Sequence, residues 1–359
     1  MRLNPVIHRT PEELLRLARA ILTATGSPPE QANDVAEALV GSNMAGHDSH
    51  GIQLLAGYIG GVRAGKVLPA EMPTLVKREK AMAIMDGHWG WGQTSGRAGT
   101  RLAIELAAEN GVGAVVVRNC HHIGRVGEYV EMMAKAGMTG MALANVGPSV
   151  MAHGGAARRL GTNPIAWAAP GGDPSRPLVL DIATSTIAGN KIALARARGV
   201  DEMAPGLFVD KHGEPSQSPA EYFDGGALLP FYGHKGFGLG VMVEFLGGAL
   251  SGSLPEELAV QYGNGTIFVA FNIGAFVPPE MFRSQVDQFR NVMETMPPAK
   301  GFERVLAPGD PEANARLARA ETGIPVPEPT WNDLVHLAAS LGISPDGELA
   351  NTGNRRESA

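Results

Sequence analysis

Two histidine-bearing strings carry the clearest chemistry in this chain: Asp48-Ser49-His50-Gly51 and His121-His122-Ile123-Gly124-Arg125. Imidazole changes charge near neutral pH, so it can take a proton from a substrate and give it back. Gly51 and Gly124 let the backbone approach a ligand closely. Three more strings add polar groups: Gly161-Thr162-Asn163-Pro164, Leu180-Asp181-Ile182-Ala183-Thr184-Ser185 and Gly233-His234-Lys235-Gly236. Together they read as one site assembled from distant segments.

Each string also has a plainer reading. A lone histidine is commonly a satisfied structural residue, and His8, His88, His212 and His336 are read so. His121 is read as flanking or orienting His122. Asp181 is equally an N-cap for the segment after it. Lys235 is equally a solvated lysine before an apolar helix, and Cys120 a small buried hydrophobe.

Rival chemistries fit less well. No cysteine pair or His-Glu-x-x-His is present to bind a catalytic metal, and adjacent histidines rarely share one ion. Asp48, Ser49 and His50 supply the residue types of a hydrolase triad, but sequence neighbours cannot reach triad geometry and no nucleophile elbow appears. Gly236-Phe237-Gly238-Leu239-Gly240 imitates a dinucleotide-binding fingerprint with the wrong third spacing.

The elements that must position these strings can be read from periodicity. Thr10-Pro11-Glu12-Glu13 has the form of a capping box, followed by Leu14, Leu17, Ala18, Ile21 and Leu22 on one helical face. A second helix starts near Pro28 and ends near Gly46, which places His47 to Gly51 at its end or in the turn after it. A strand over 113–117 and a helix over 126–137 place His121 to Arg125 at a strand-to-helix junction, where functional loops gather. Strands are predicted at 81–87, 141–145, 165–169, 178–181 and 266–271. Phe237 to Leu250 reads as a buried apolar helix, and the chain ends in helices near 311–322 and 331–341.

Composition bounds the rest. The 359 residues are 44% hydrophobic and 18% charged with a net charge of −6, a globular balance with no basic stripe for nucleic acid. The single cysteine rules out an intrachain disulfide and fits a reducing compartment. No apolar start or long apolar run suggests a signal peptide or a membrane span, so a cytoplasmic location is expected.

At these strings the chain resembles the type-2 malate/L-lactate dehydrogenase family, nicotinamide-dependent oxidoreductases unrelated in fold to the Rossmann lactate dehydrogenases. The resemblance runs from about Thr10 to Leu341 through five separated motifs in order. It implies an α+β fold, not a Rossmann fold, with a largely antiparallel mixed sheet wrapped by helices. A helical domain from both chain ends (1–76 with 285–359) is expected beside a cofactor-binding α+β domain (77–284). A homodimer, an NAD or NADP cofactor and a small 2-hydroxy or 2-oxo acid substrate are also implied.

By the same resemblance, His122 falls on the family's catalytic acid/base, and Ser49 and His50 on a pair at the reacting end of the cofactor. Gly124, Arg125 and Val126 match its Gly-Arg-Val stretch, and Val179, Leu180, Asp181, Ile182 and Ala183 its Leu-Asp-x-Ala stretch. Thr162, His234 with Lys235, and Gly309, Asp310, Pro311 and Glu312 fall on cofactor-contacting positions. Many relatives place a substrate-binding arginine where this chain has Leu54. A 2-oxo acid still needs its carboxylate neutralised, and Arg125 is the nearest candidate for a two-pronged clamp. This departure favours a hydroxycarboxylate-type substrate over malate or lactate. Alternatives are reduction of a cyclic imine carboxylate within the family, or a metal-dependent hydrolase or lyase outside it.

Overall fold

The computed structural model describes residues 4–253 and 263–344. The chain opens with strand β1 (Val6–Arg9) and helices α1 (Pro11–Ala24), α2 (Pro29–Met44) and α3 (Leu55–Arg63). Two short 3-10 turns, Asp48–His50 and Ile52–Leu54, lie between α2 and α3. The hairpin β2 (Thr74–Glu79) and β3 (Met82–Asp86) leads into α4 (Gly92–Asn110), β4 (Val112–Cys120), α5 (Gly127–Lys135) and β5 (Thr139–Ala144). Short elements follow: β6 (Val150–Met151), β7 (Arg158–Leu160), β8 (Ile165–Ala169), β9 (Leu178–Ile182) and α6 (Gly189–Ala197). After them come β10 (Phe208–Val209), β11 (Pro215–Ser216), α7 (Pro219–Phe223), β12 (Ala227–Leu228) and α8 (His234–Val243). The described chain finishes with β13 (Asn264–Phe271), α9 (Pro279–Glu294), α10 (Asp310–Thr322), β14 (Ile324–Pro327) and α11 (Glu328–Ser340).

The result is a mixed α+β architecture built on a seven-stranded sheet of order β2-β3-β4-β13-β5-β8-β9. Its neighbours pair antiparallel except β3 with β4. The central strand β13 is buried almost throughout because both sheet faces are covered. Phe268 and Ala270 face the core shared with residues of α4 and α5, while Ile267 and Val269 face a second cluster that includes Val243 of α8. That alternation fixes the strand's register, since a one-residue slip would exchange its two faces.

A separate apolar core joins α1, α2 and α3 to β14 and α11. The capping box forms as expected, with Thr10 accepting from the Glu13 amide and the Glu13 carboxylate accepting from the Thr10 amide. Strand β1 pairs antiparallel with β14, tying the start of the described chain to its end. Strand β2 straddles the boundary expected at residue 76 and belongs to the main sheet. Residues 1–3 and 345–359 of the expected helical unit lie outside the described residues.

The Phe237-to-Leu250 expectation needs correcting. Helix α8 stops at Val243, continues as a wider turn over Glu244–Gly248, and exposes Leu239, Met242, Phe245 and Leu250. Only one face of this apolar stretch reaches the sheet. Among the described residues no helix is long and apolar enough to cross a membrane.

Candidate active site

The loop carrying His121 and His122 leaves the sheet where β4 ends, beside the central strand. Asn264 at the start of β13 receives the Ile123 amide at 2.9 Å, and the buried Tyr129 hydroxyl donates to the Ile123 carbonyl. Gly92 packs so close to the His121 and His122 carbonyls that any side chain there would displace them. Gly124 has φ +78°, a conformation that favours glycine, and turns the chain into α5. The histidine loop is therefore clamped from three sides.

The Ser49-His50 turn is held differently. Asp48 is buried and accepts from Asn43 at 2.8 Å, from Arg198 at 3.3 Å and from Arg319 of α10. The Asn43 side-chain oxygen Oδ1 in turn accepts the Ile52 amide at 2.8 Å. Asp48 is thus committed to arginines and anchors the turn, which leaves no triad partner for His50. The Ser49 hydroxyl lies 3.1 Å from His50 Nδ1.

These two anchors bring His50 and His122 together with their rings stacked, centroids 5.9 Å apart and planes within 20°. Both line a cavity of about 570 Å³, a size suited to a small-molecule ligand. Burial lowers the His122 pKa to about 4, so it is neutral at pH 7. His50 is held well below the usual histidine value by burial first and then by His122. Burial, with His122 beside it, brings His121 to about 4. Neutral imidazole is the form that can accept a substrate proton.

Of the other expected residues, Gly124, Arg125, Val126, Thr162, Asp181, Ile182 and Ala183 also line this cavity. Val179 and Gly309 instead line a neighbouring cavity of about 420 Å³, with Arg125 in the wall of both. Ser49 and Leu180 line neither, and the structure does not bring His234, Lys235, Asp310, Pro311 or Glu312 to the first cavity's wall. His234 stands near His153 at the start of α8. Asp310 is bound by Arg176 and Arg290, and Glu312 by His47 of the first cavity at 2.9 Å.

Two expectations change on this geometry. Arg125 is buried with its terminal nitrogens 3.0 and 2.9 Å from the Glu131 carboxylate, so its two-pronged fork is already occupied. Its Nε, buried and without a partner, and the second N–H of each terminal nitrogen remain. Asp181 does not cap the segment after it. Its carboxylate accepts the Gly127 amide at 2.8 Å, capping α5 from across the sheet edge. Burial raises its pKa, and Arg125 opposes that rise.

Residues 10–335 match the malate/L-lactate dehydrogenase family model. The chain belongs to the malate/L-lactate dehydrogenase family. It is 34% identical to the malate dehydrogenase of Pyrococcus abyssi over 344 residues, covering 92% of this chain and 94% of that protein. It is 33% identical to hydroxycarboxylate dehydrogenase B of Escherichia coli strain K12 over 334 residues, covering 90% and 92%. The solved malate dehydrogenase of Pyrococcus horikoshii OT3 superposes with a TM-score of 0.87 at 32% identity, covering 94% of this chain and 97% of that one. Membership makes the chain a hydroxy acid oxidoreductase and implies a nicotinamide cofactor.

Sequence reasoning missed groups that support the cavity from behind His122 or line its wall. Tyr58 on α3 places its hydroxyl 2.6 Å from His122 Nδ1, and buried Gln93 on α4 donates to that hydroxyl at 3.0 Å. Lys191, exposed at the start of α6, lines the cavity and makes no ion pair among the described residues. Leu54 packs toward the helical core and is absent from the cavity lining. Tyr58 left a sequence signal, a polar-tipped ring on the otherwise apolar face of Leu55 and Ile59. Lys191 left none that distinguishes it from a solvated lysine.

Proposed function

We propose that this chain interconverts a 2-hydroxy acid and its 2-oxo acid with a nicotinamide dinucleotide, and that His122 moves the hydroxyl proton. The observation carrying this reading is the stacked His50–His122 pair at one cavity. Each ring has a hydroxyl on Nδ1 and, among the described residues, no hydrogen bond to its other nitrogen. The cavity suits a dinucleotide in that its wall offers the Arg125 Nε, buried and unpartnered, as a donor to an anionic group. Gly124, Arg125, Thr162 and Asp181 to Ala183 would hold it, with Val179 and Gly309 along the adjoining cavity. Bound there, the nicotinamide supplies or removes the hydride.

The chain's own residues do the rest. In oxidation, neutral His122 accepts the substrate hydroxyl proton at Nε2 while Tyr58 holds Nδ1. In reduction, protonated His122 returns that proton. With Leu54 turned away and the Arg125 fork taken, Lys191 is the cation left to face the substrate carboxylate. Ser49 orients His50, which positions the ligand. The Ser49 hydroxyl on His50 favours a second reading in which His50 carries the proton and His122 positions.

The exposed apolar face of Leu239, Met242, Phe245 and Leu250 is the surface for the homodimer. A panel of 2-oxo acids and cyclic imine carboxylates, run with NADH and with NADPH, tests the reaction class. Chelator-insensitive reduction of at least one 2-oxo acid is expected. Consumption of cyclic imines alone would transfer the reading to imine reduction, and loss of activity to chelator would point to a metal-dependent enzyme.

A further inference from the structure

Behind His122 lies a short buried hydrogen-bond chain that the reaction scheme does not use. Gln93 Nε2 donates to the Tyr58 hydroxyl at 3.0 Å, and that hydroxyl lies 2.6 Å from His122 Nδ1. Gln93 is fully buried, yet its amide oxygen has no partner. A glutamine amide has two faces of similar shape, one donating and one accepting, so its orientation sets the direction of every bond after it.

The two directions are chemically unequal. With the amide nitrogen towards Tyr58, the phenol proton points at His122 Nδ1, and neutral His122 must carry its own proton on Nε2. That form can polarise a 2-oxo group but cannot accept a proton at the cavity. With the amide oxygen towards Tyr58, the phenol donates to Gln93 and accepts from His122 Nδ1–H. The Nε2 lone pair then faces the cavity as a base, and once protonated there His122 is the acid for the reverse direction. No rearrangement separates those two states. The first direction could complete proton delivery only by leaving Tyr58 ionised, and burial raises the Tyr58 pKa above its ordinary value.

We propose, on the reading of His122 as acid/base, that Gln93 and Tyr58 are positioning residues that set the tautomer of His122: the Gln93 amide, whose nitrogen faces Tyr58 in this structure, turns over to present its equally shaped oxygen and so selects the proton-accepting tautomer. The other titratable groups around His122 are His50, stacked upon it, and His121, beside it and edge-on to Tyr58. Neither is hydrogen-bonded to His122 Nδ1, so Tyr58 is the group positioned to set its tautomer.

Three variants and one spectrum test this. Tyr58→Phe removes the acceptor for Nδ1–H, and kcat is expected to fall by roughly tenfold or more, within the ~10²–10⁴ that proton transfer supplies, with little change in KM. Gln93→Met removes the director and should behave likewise. Gln93→Glu can only accept from Tyr58, so it should retain turnover and move the acid limb of the oxidation profile to higher pH. Nitrogen-15 spectra of histidine-labelled protein should show Nδ1–H on His122 in the wild type and in Gln93→Glu, and Nε2–H in Tyr58→Phe. Matching pH profiles for Gln93→Glu and Gln93→Met, or a His122 tautomer unchanged in Tyr58→Phe, would overturn the proposal. The spectra report the tautomer whether or not any hydroxy acid is turned over, so failure of the reaction class registers separately. Should Gln93 variants fail to fold, the near-isosteric Tyr58→Phe spectrum decides alone.

Discussion

Replacing Glu131 with glutamine removes the carboxylate that neutralises Arg125, whose side chain is only 4% exposed. The same carboxylate also receives Arg316 at 2.9 Å on each oxygen, and Arg316 is 36% exposed. Breaking a buried pair from one side costs about 3–5 kcal/mol, because the remaining charge is left without a partner. Glu131→Gln takes from Arg125 its one hydrogen-bonded carboxylate among the described residues, leaving only the weaker pull of Asp181 and Glu128. Arg125→Met leaves Glu131 still bound by Arg316, so its cost should be nearer about 1–3 kcal/mol. At about 2.1 cal/mol/K per residue, unfolding the whole chain carries roughly 0.75 kcal/mol/K. Those costs then become Tm losses of roughly 4–7 °C for Glu131→Gln and roughly 1–4 °C for Arg125→Met in calorimetric scans at neutral pH. Equal losses, or a larger one for Arg125→Met, would refute the idea that Arg125 is the stranded partner. Ligand titrations of the same proteins address function. With its fork occupied, Arg125 should matter about equally to dinucleotide and 2-oxo acid binding. A selective loss of 2-oxo acid binding in Arg125→Met would restore the clamp role that the sequence suggested.

Acid stability should reflect the buried neutral histidines. His121 and His122 titrate near 4 when folded and near the ordinary 6.5 when unfolded. The unfolded chain binds more protons between those values, so stability is complete above about pH 6.5 and is lost as pH falls towards 4. Urea titrations at pH 7 and pH 4.5 should differ by roughly 2 kcal/mol or more per histidine, and equal midpoints would contradict the burial argument. Lys191→Met should raise KM for a 2-oxo acid by about tenfold or more while dinucleotide affinity holds within about twofold; parallel losses would move Lys191 to the cofactor. Phe245→Glu should convert a dimer to a monomer in light scattering, whereas an unchanged mass would place the interface elsewhere.

The parts of the fold that were legible are those with local physical signatures. The Thr10–Glu13 capping box, the junction carrying His122 and the turn carrying His50 all follow from spacing within a dozen residues. The β1–β14 pairing joins residues more than three hundred positions apart, and nothing in either segment names its partner. The two-residue strands β6, β10, β11 and β12 are too short to show a period. Strand β2 is exposed along its whole length, so it lacks the alternation that marks a half-buried strand. At the site, residue types were legible and commitments were not. The Arg125 fork looked free until Glu131 was found six residues on, filling it one turn and a half along the following helix. Tyr58 reaches His122 from α3 and Gln93 reaches Tyr58 from α4, and no local spacing links those helices to the histidine loop.

The central claim is that His122 carries the substrate proton, and the most direct measurement compares wild type with His122→Ala on the best 2-oxo acid of the panel, with dinucleotide affinity measured in parallel. A fall in turnover of about 10²- to 10⁴-fold with dinucleotide binding retained is predicted. Near-normal turnover in His122→Ala, with the loss appearing in His50→Ala instead, would contradict the account and assign the proton to the other ring of the stack.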